Sequence, residues 1–449
     1  MTPYRYAWLL CLITISGFAQ NKAGNRPNII VVLADDLGWS ELGCYGNRFN
    51  RTPNLDRLAA GGIRFTQAYA TAPVCTPTRI ALMTGQHPAR TGITDYLDAK
   101  DEKFLSPAYT TLNEQLKKAG YHTGLIGKWH LTGDYGQKKG EPMKHGWDEV
   151  ICSETGYIAN GDYFHPYFFM PDVAPKTQGE YLTDRLNGEA VDFIKRNSQQ
   201  PFFLYLSHYA VHTRLAGKPD KVAKYQQKPQ AGTRQNNPEL AAMLESIDEG
   251  VGQIRAVLNE LNLTDNTLIL FTSDNGGELN VTTNAPLRGG KSELYEGGIR
   301  EPFIACWPGT IKAGIVSDQV INTLDIYPTL LDITSIKPAA KLILDGVSLK
   351  SVLTGATKPT PRTLYWHYPL PRPHFLGGRS AGAIRSGDFK LIEYFDTGQI
   401  QLFNLADDPG EQTDLSETQP AQRTQLLNQL REWRQKAVRD FQTAITSLN

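Results

Sequence analysis

The chain has 449 residues, and its 46 Lys plus Arg balance 46 Asp plus Glu, so the formal net charge is zero. Hydrophobic residues make up 40%, aromatic residues 10% and charged residues 20%, a globular composition that excludes disordered and collagen-like classes. Neutrality argues against a nucleic-acid partner, which calls for a basic domain or stripe, and five cysteines are too few for a disulfide scaffold.

Residues 1–19 read as a signal peptide. Arg5 supplies the positive start, Ala7 to Phe18 is an apolar run too short to span a bilayer, and Gly17-Phe18-Ala19 places small residues before a cleavage near Gln20. No later run reaches the roughly 18 apolar residues of a membrane span. The expectation is export to the periplasm or the extracellular space, with no stable membrane anchor.

Asn28 to Leu33 is a continuous apolar run, as expected of a strand buried on both faces of a parallel sheet, and it ends in Ala34-Asp35-Asp36. Thr52-Pro53 opens a helix that Gly61-Gly62 closes. Cys75 begins another, with Thr76 as its cap, Pro77 in the first turn and Gly85 at the end. Thr111 and Glu114 form a capping box. Phe202 to Leu206 is a strand running into Ser207-His208, with His212 just beyond. A long amphipathic helix follows over Pro238 to Leu261, then a strand from Thr267 to Thr272 that ends in Ser273-Asp274-Asn275-Gly276-Gly277. Strands alternating with helices predict an α/β fold with a large, mostly parallel central sheet flanked by helices. After Pro359 come short segments at Leu364–Tyr368, Gly382–Ile384, Lys390–Phe395 and Ile400–Asn404, then a helix over Pro420 to Ala444. These predict a small C-terminal α+β subdomain with an antiparallel sheet. The expected division is 20–358 and 359–449.

In such sheets ligands bind beyond the carboxyl ends of the strands, and three strand ends here carry metal or acid–base chemistry. Asp35, Asp36, Asp274 and Asn275 offer hard oxygen ligands, which suit Ca²⁺ or Mg²⁺ over zinc. Three adjacent carboxylates also repel one another without a cation. One Asp alone at a strand end is as well explained by a turn; the set of four is not. Cys75 at a helix N-terminus, with Arg79 one turn on, sits where anions are favoured and where a thiol is expected to be acidic, although a lone cysteine is more often a buried structural one.

Cys75-Thr76-Pro77-Thr78-Arg79 followed by Thr84-Gly85 resembles the first signature of the type I, formylglycine-dependent sulfatases, a branch of the alkaline phosphatase superfamily. Gly120-Tyr121-His122-Thr123-Gly124 through Gly127-Lys128-Trp129-His130 resembles the second signature. Asp35-Asp36, Ser273 to Gly277, Leu287 to Lys291 with Tyr295 to Pro302, and Leu402 to Leu405 with Asp408 to Glu411 resemble further family motifs, so the likeness spans roughly 27–434. The resemblance implies an alkaline-phosphatase-like sandwich and a sulfuric ester hydrolase. It implies conversion of Cys75 to formylglycine by a maturation enzyme, before folding. The hydrated aldehyde attacks sulfur and later expels sulfate from a sulfo-enzyme intermediate. It also implies Ca²⁺, rather than Mg²⁺, held by Asp35, Asp36, Asp274, Asn275 and the modified residue 75. Arg79 and Lys128 match residues that steady the hydrate, and Lys291 matches one that binds sulfate. His130 matches the base for sulfate release, and His212 the general acid on the ester oxygen, with His208 as the alternative. His122 is read as structural.

The substrate expected is a sulfated carbohydrate. A broad arylsulfatase, a phosphonate or phosphate ester hydrolase, and a non-catalytic metal-stabilised binding protein with unmodified Cys75 are the alternatives. Asp95, Tyr96, Asp98, Asp134, Tyr135, Arg214, Trp366, His367, Arg372 and His374 are candidates for substrate selection, each equally explicable as an ordinary loop or surface residue.

Overall fold

The computed structural model describes residues 26–133, 135–157, 162–340, 342–355 and 361–448, with side chains as far as 439. The signal peptide expected over 1–19 and the division expected at 358/359 lie outside these residues. Among the described residues thirteen strands form two sheets. The first nine are β1 (Asn28–Ala34), β2 (Ile63–Tyr69), β3 (His122–Gly127), β4 (Glu149–Ile151), β5 (Phe202–Ser207), β6 (Thr267–Ser273), β7 (Arg300–Cys306), β8 (Ile315–Ser317) and β9 (Ile321–Asn322). They make one sheet in the order β4-β3-β5-β1-β6-β7-β2-β8, with β9 paired to β2. From β4 to β6 every pairing is parallel; β7 is antiparallel to both of its neighbours.

The continuous apolar run in β1 is explained by burial on both faces. Ile30, Val32 and Ala34 pack into a core that includes Leu186 and Phe193 of the Leu182–Arg196 helix and Leu244 and Ile247 of the Pro238–Glu260 helix. Ile29, Val31 and Leu33 face the opposite core, with Ile80 and Leu82 of the Cys75–Thr84 helix. Helices on both faces give the expected sandwich. The capping box at Thr111 and Glu114 is formed.

The second sheet has the order β10-β11-β12-β13 and is antiparallel throughout: β10 (Thr363–Tyr368), β11 (Ala381–Ser386), β12 (Phe389–Tyr394) and β13 (Ile400–Asn404). The Pro420–Leu448 helix packs on it through Leu426 and Leu430. Among the described residues no helix is long and apolar enough to cross a membrane.

A buried charge cluster ties the two sheets together. Lys390 of β12 lies 3.0 Å from Glu296 and 2.9 Å from Glu411, and all three side chains are fully buried. Tyr69, at the end of β2, donates to Glu296 at 2.7 Å. Burial raises both carboxyls; Lys390 overrides it at Glu296, which is held low, but not at Glu411, which is pushed up to about 7. Removing one partner of a buried ion cluster leaves uncompensated charge. Lys390→Met is therefore expected to cost about 3–5 kcal/mol of unfolding free energy. Urea titration checks this; a loss no larger than that of a surface substitution would contradict it.

Candidate active site

Strands β1, β3, β5 and β6 end side by side, and each contributes to one site. Asp35 and Asp36 follow β1. Asp36 has a positive φ of 58° and its N–H donates to Asp274 Oδ1 at 3.1 Å, which ties the end of β1 to the end of β6. Next to Asp274, Asn275 donates from Nδ2 to Asp36 Oδ1 at 2.8 Å. Beyond β3, Lys128 Nζ lies 2.5 Å from Asp35 Oδ2. Arg79, fully buried, pairs with Asp274 at 2.8 Å, lies 3.6 Å from Asp35 and donates to Ser207 Oγ at 2.6 Å. Lys291 Nζ reaches Asp36 Oδ2 at 2.7 Å, and His212 Nε2 approaches the same oxygen at 3.7 Å.

Cys75 opens its helix beside this cluster, with Sγ 3.3 Å from His130 Nδ1. The other ring nitrogen of His130, Nε2, lies 2.9 Å from the Leu97 carbonyl, which can only accept. The proton therefore sits on Nε2 and Nδ1 presents a lone pair to residue 75. Burial, with Lys128 adding, holds His130 well below the usual histidine range, so it stays a neutral acceptor at neutral pH.

The donor set fits a hard divalent cation. Asp35, Asp36 and Asp274 each bring a carboxylate oxygen into a group spanning no more than 4.8 Å. Oxygens bound to one Ca²⁺ at about 2.3–2.6 Å lie no further apart than that range allows. Asp35 Oδ1 and Asn275 Oδ1 are buried without a hydrogen-bond partner, a cost that coordination would remove. Burial pushes Asp35 up to about 8, against Lys128 and with Asp274 adding. Asp36 is also buried, yet Lys291, His212 and Lys128 outweigh that and hold it low.

The sequence expectations meet here with some corrections. Cys75, Arg79, Lys128, His130, His212 and Lys291 all come together around the four oxygen-bearing residues. The thiol of Cys75 is not acidic: burial pushes it up despite Lys128 and Lys291. Thr76 does not cap the helix, which starts at Cys75 after Val74; its Oγ1 accepts from the Leu97 N–H at 3.2 Å instead. His208 is fully buried with neither ring nitrogen hydrogen-bonded, and it is His212 that reaches the cluster. His122 pairs with Glu149 at 2.9 Å, away from the site.

Trp366 is a core residue of the second sheet, its indole donating to the Ala70 carbonyl at 2.8 Å. His367 alternates to the other face and leans on Phe395. Asp95, Tyr96, Asp98, Arg372 and His374 line one cavity. Arg214 is exposed, Tyr135 buries a hydroxyl without a partner, and Asp134 lies outside the described residues.

Glu154 escaped the sequence reading. It accepts from Trp129 N at 2.9 Å, from Tyr209 Oη at 2.9 Å and from His130 N, and so holds His130 at its positive φ of 52°. Glu301 was also missed. It is fully buried near Asp274 and Asp36, and burial with those two charges raises it well above the carboxylate range.

Residues 27–336 match the family model described as Sulfatase, and 290–437 match that of the N-sulphoglucosamine sulphohydrolase C-terminal region. A sulfatase of Formosa agariphila is 31% identical over 95% of this chain and 92% of its own length. The N-acetylgalactosamine-6-sulfatase of Canis lupus familiaris is 35% identical over 80% of this chain and 72% of its own. The crystal structure of Ps i-CgsB superposes with a TM-score of 0.81 at 31% identity, covering 91% of this chain and 93% of that one. The chain belongs to the sulfatase family and is a sulfuric ester hydrolase.

Proposed function

We propose that the protein hydrolyses sulfate esters of a saccharide, using formylglycine made from Cys75 and a calcium ion held by Asp35, Asp36, Asp274, Asn275 and residue 75. The observation that carries the reading is the contact between Cys75 and the lone pair of His130, set beside the carboxylate cluster and two buried lysines. Hydrated formylglycine at residue 75 would supply two hydroxyls on one carbon, one as nucleophile and one to be deprotonated for sulfate release, and a cation held by Asp35, Asp36, Asp274 and Asn275 would supply a charge to polarise a sulfate oxygen.

His130 Nδ1 is the acceptor for the proton of the second hydroxyl, and the Leu97 carbonyl keeps its tautomer correct. Lys128 and Lys291 provide fixed positive charge for the sulfate oxygens. Arg79 anchors Asp35 and Asp274 and so holds the site's shape. His212 donates from Nδ1 to the Thr213 carbonyl at 2.5 Å, and burial with Lys291 depresses it to about 3. An arriving sulfate anion offsets Lys291 and raises His212 toward the protonated form a general acid needs. With Asp35 ionised by a bound cation, the three carboxylates would balance Arg79, Lys128 and Lys291, and the ion's own charge would leave the pocket positive, as an anionic ester requires.

The relatives named N-acetylgalactosamine-6-sulfatase, and the Ps i-CgsB complex with k-i-k-neocarrahexaose at 32% identity, support a saccharide substrate. Burial of Cys75 at 2% exposure supports modification by a maturation enzyme before folding. The reading also keeps export through residues 1–19 to the periplasm or beyond.

Sulfate release from monosulfated sugars and an aryl sulfate tests it. The protein is expected to release sulfate from at least one sugar, and His130→Gln to lower kcat by about 10²–10⁴-fold. Hydrolysis of the aryl sulfate alone would favour a broad arylsulfatase; no sulfate release at all would leave a binding protein.

A further inference from the structure

A cavity of about 390 Å³, within the range of about 300–1,000 Å³ usual for small-molecule sites, has Leu97 in its wall, which is hydrogen-bonded to Thr76 on the Cys75 helix and to His130. One wall is the loop Ile93–Lys103, the other the segment Pro369–Phe375. The loop is fixed to the reacting groups at one residue: the Leu97 N–H donates to Thr76 on the Cys75 helix, and the Leu97 carbonyl takes the His130 proton. His374, on the other wall, lies close enough to Lys291 and Asp36 to feel both charges. A ring bonded to a sulfate at residue 75 would therefore extend into this cavity.

Its lining has two parts. Tyr96, His374 and Phe375 make an aromatic group: His374 stacks on Phe375 at 4.3 Å, and Tyr96 meets the His374 edge at 5.4 Å. Phe375 is 77% exposed and so leaves a ring face open to the cavity's contents. Beside it stand Asp95, Asp98 and Asp101, all three near enough to act on the Tyr96 phenol. Asp95 Oδ1 accepts from Tyr368 at 3.1 Å, Asp101 Oδ2 from the Asp98 N–H at 2.8 Å, and Asp98 Oδ1 from the Lys100 N–H at 2.7 Å. Lys103 and Arg372 lie at the exposed rim.

We propose that this cavity holds the sugar ring bearing the scissile sulfate, and that Asp95, Asp98 and Asp101 select a ring whose remaining substituents are neutral hydroxyl or amide groups, rejecting one with a second sulfate or a carboxylate. The inference rests on the sulfated-saccharide reading and adds the class of sugar. The aromatic group stacks on the ring face, and the carboxylates accept from its hydroxyls. A second anion on the same ring would meet three carboxylates. Like charges about 8 Å apart at an effective dielectric near 20 repel enough for a tenfold or larger difference in kcat/KM.

The test compares kcat/KM for galactose 6-sulfate, N-acetylgalactosamine 6-sulfate and the 4,6-disulfates of both, with an aryl sulfate measured alongside. The monosulfated sugars are expected to be preferred at least tenfold. That preference should shrink with added salt as the carboxylates are screened, and should fall severalfold in Asp98→Asn. Phe375→Ala is expected to raise KM for the sugars more than it lowers kcat. Equal or better turnover of the disulfates, or a preference unmoved by both salt and Asp98→Asn, would overturn the selection. Aryl sulfate turnover without that preference leaves the sulfatase reading standing, whereas loss of turnover on every ester removes that reading itself.

Discussion

Cys75→Ala is expected to lower kcat by about 10⁴-fold or more on any sulfate ester, the scale seen when a covalent nucleophile is removed. Folding should survive, because alanine fills most of the space at a buried helix N-terminus that makes no side-chain cap. Cys75→Ser is more informative. Serine has one hydroxyl and no aldehyde to re-form, so it can accept at most one sulfo group per chain and then stall. Wild-type protein from a host with the maturation enzyme should show residue 75 lighter than cysteine by about 18 Da, the change of a thiol to an aldehyde. The buried sulfur, with a thiol pushed up rather than acidified, is a poor nucleophile in its own right. Full activity with an unmodified thiol, or activity retained in Cys75→Ala, would sink the mechanism.

That thiol marks the boundary of what the sequence could tell. Helix start, Arg79 and anion affinity are local features, and the structure sets Cys75 at a helix start with its sulfur 3.3 Å from His130. They fail for its acidity because burial is set by distant chain. The clustering of Asp35, Asp36 and Asp274 was legible for the opposite reason: the apolar runs of β1 and β6 end abruptly in acids, and parallel neighbours bring equivalent ends together. Glu154 was not legible. It acts only because the segment after β4 folds back under His130, and no spacing encodes that contact. Trp366 was misread although its signal was present. Leu364, Trp366 and Tyr368 alternate at the period of a strand with one buried face, which argues for core rather than for a ligand. His208 and His212 differ by one turn of irregular chain, and only the path after β5 decides that His212 meets Asp36.

Removing calcium should cost both activity and stability. Asp35, Asp36 and Asp274 are buried within 4.8 Å of one another, and Asp35 Oδ1 and Asn275 Oδ1 lack hydrogen bonds. A cation that binds only the folded state adds about 2.7 kcal/mol at a hundredfold excess over its Kd. Dialysis against a chelator is therefore expected to lower Tm by several degrees and to abolish turnover, with both restored by Ca²⁺. Mg²⁺ should restore less, because it demands near-octahedral geometry at about 2.0–2.1 Å and gives up water reluctantly. Asp274→Asn removes one charge while keeping an oxygen and should weaken the response to added calcium. It also frees Arg79 from its 2.8 Å partner, so its Tm should fall even under chelator. The two effects separate in a calcium titration of Tm: the variant curve starts lower and shifts to higher calcium. A wild-type Tm and turnover indifferent to chelation would mean that Lys128, Lys291 and Arg79 alone neutralise the three carboxylates, and that sulfate is bound by those cations without a metal.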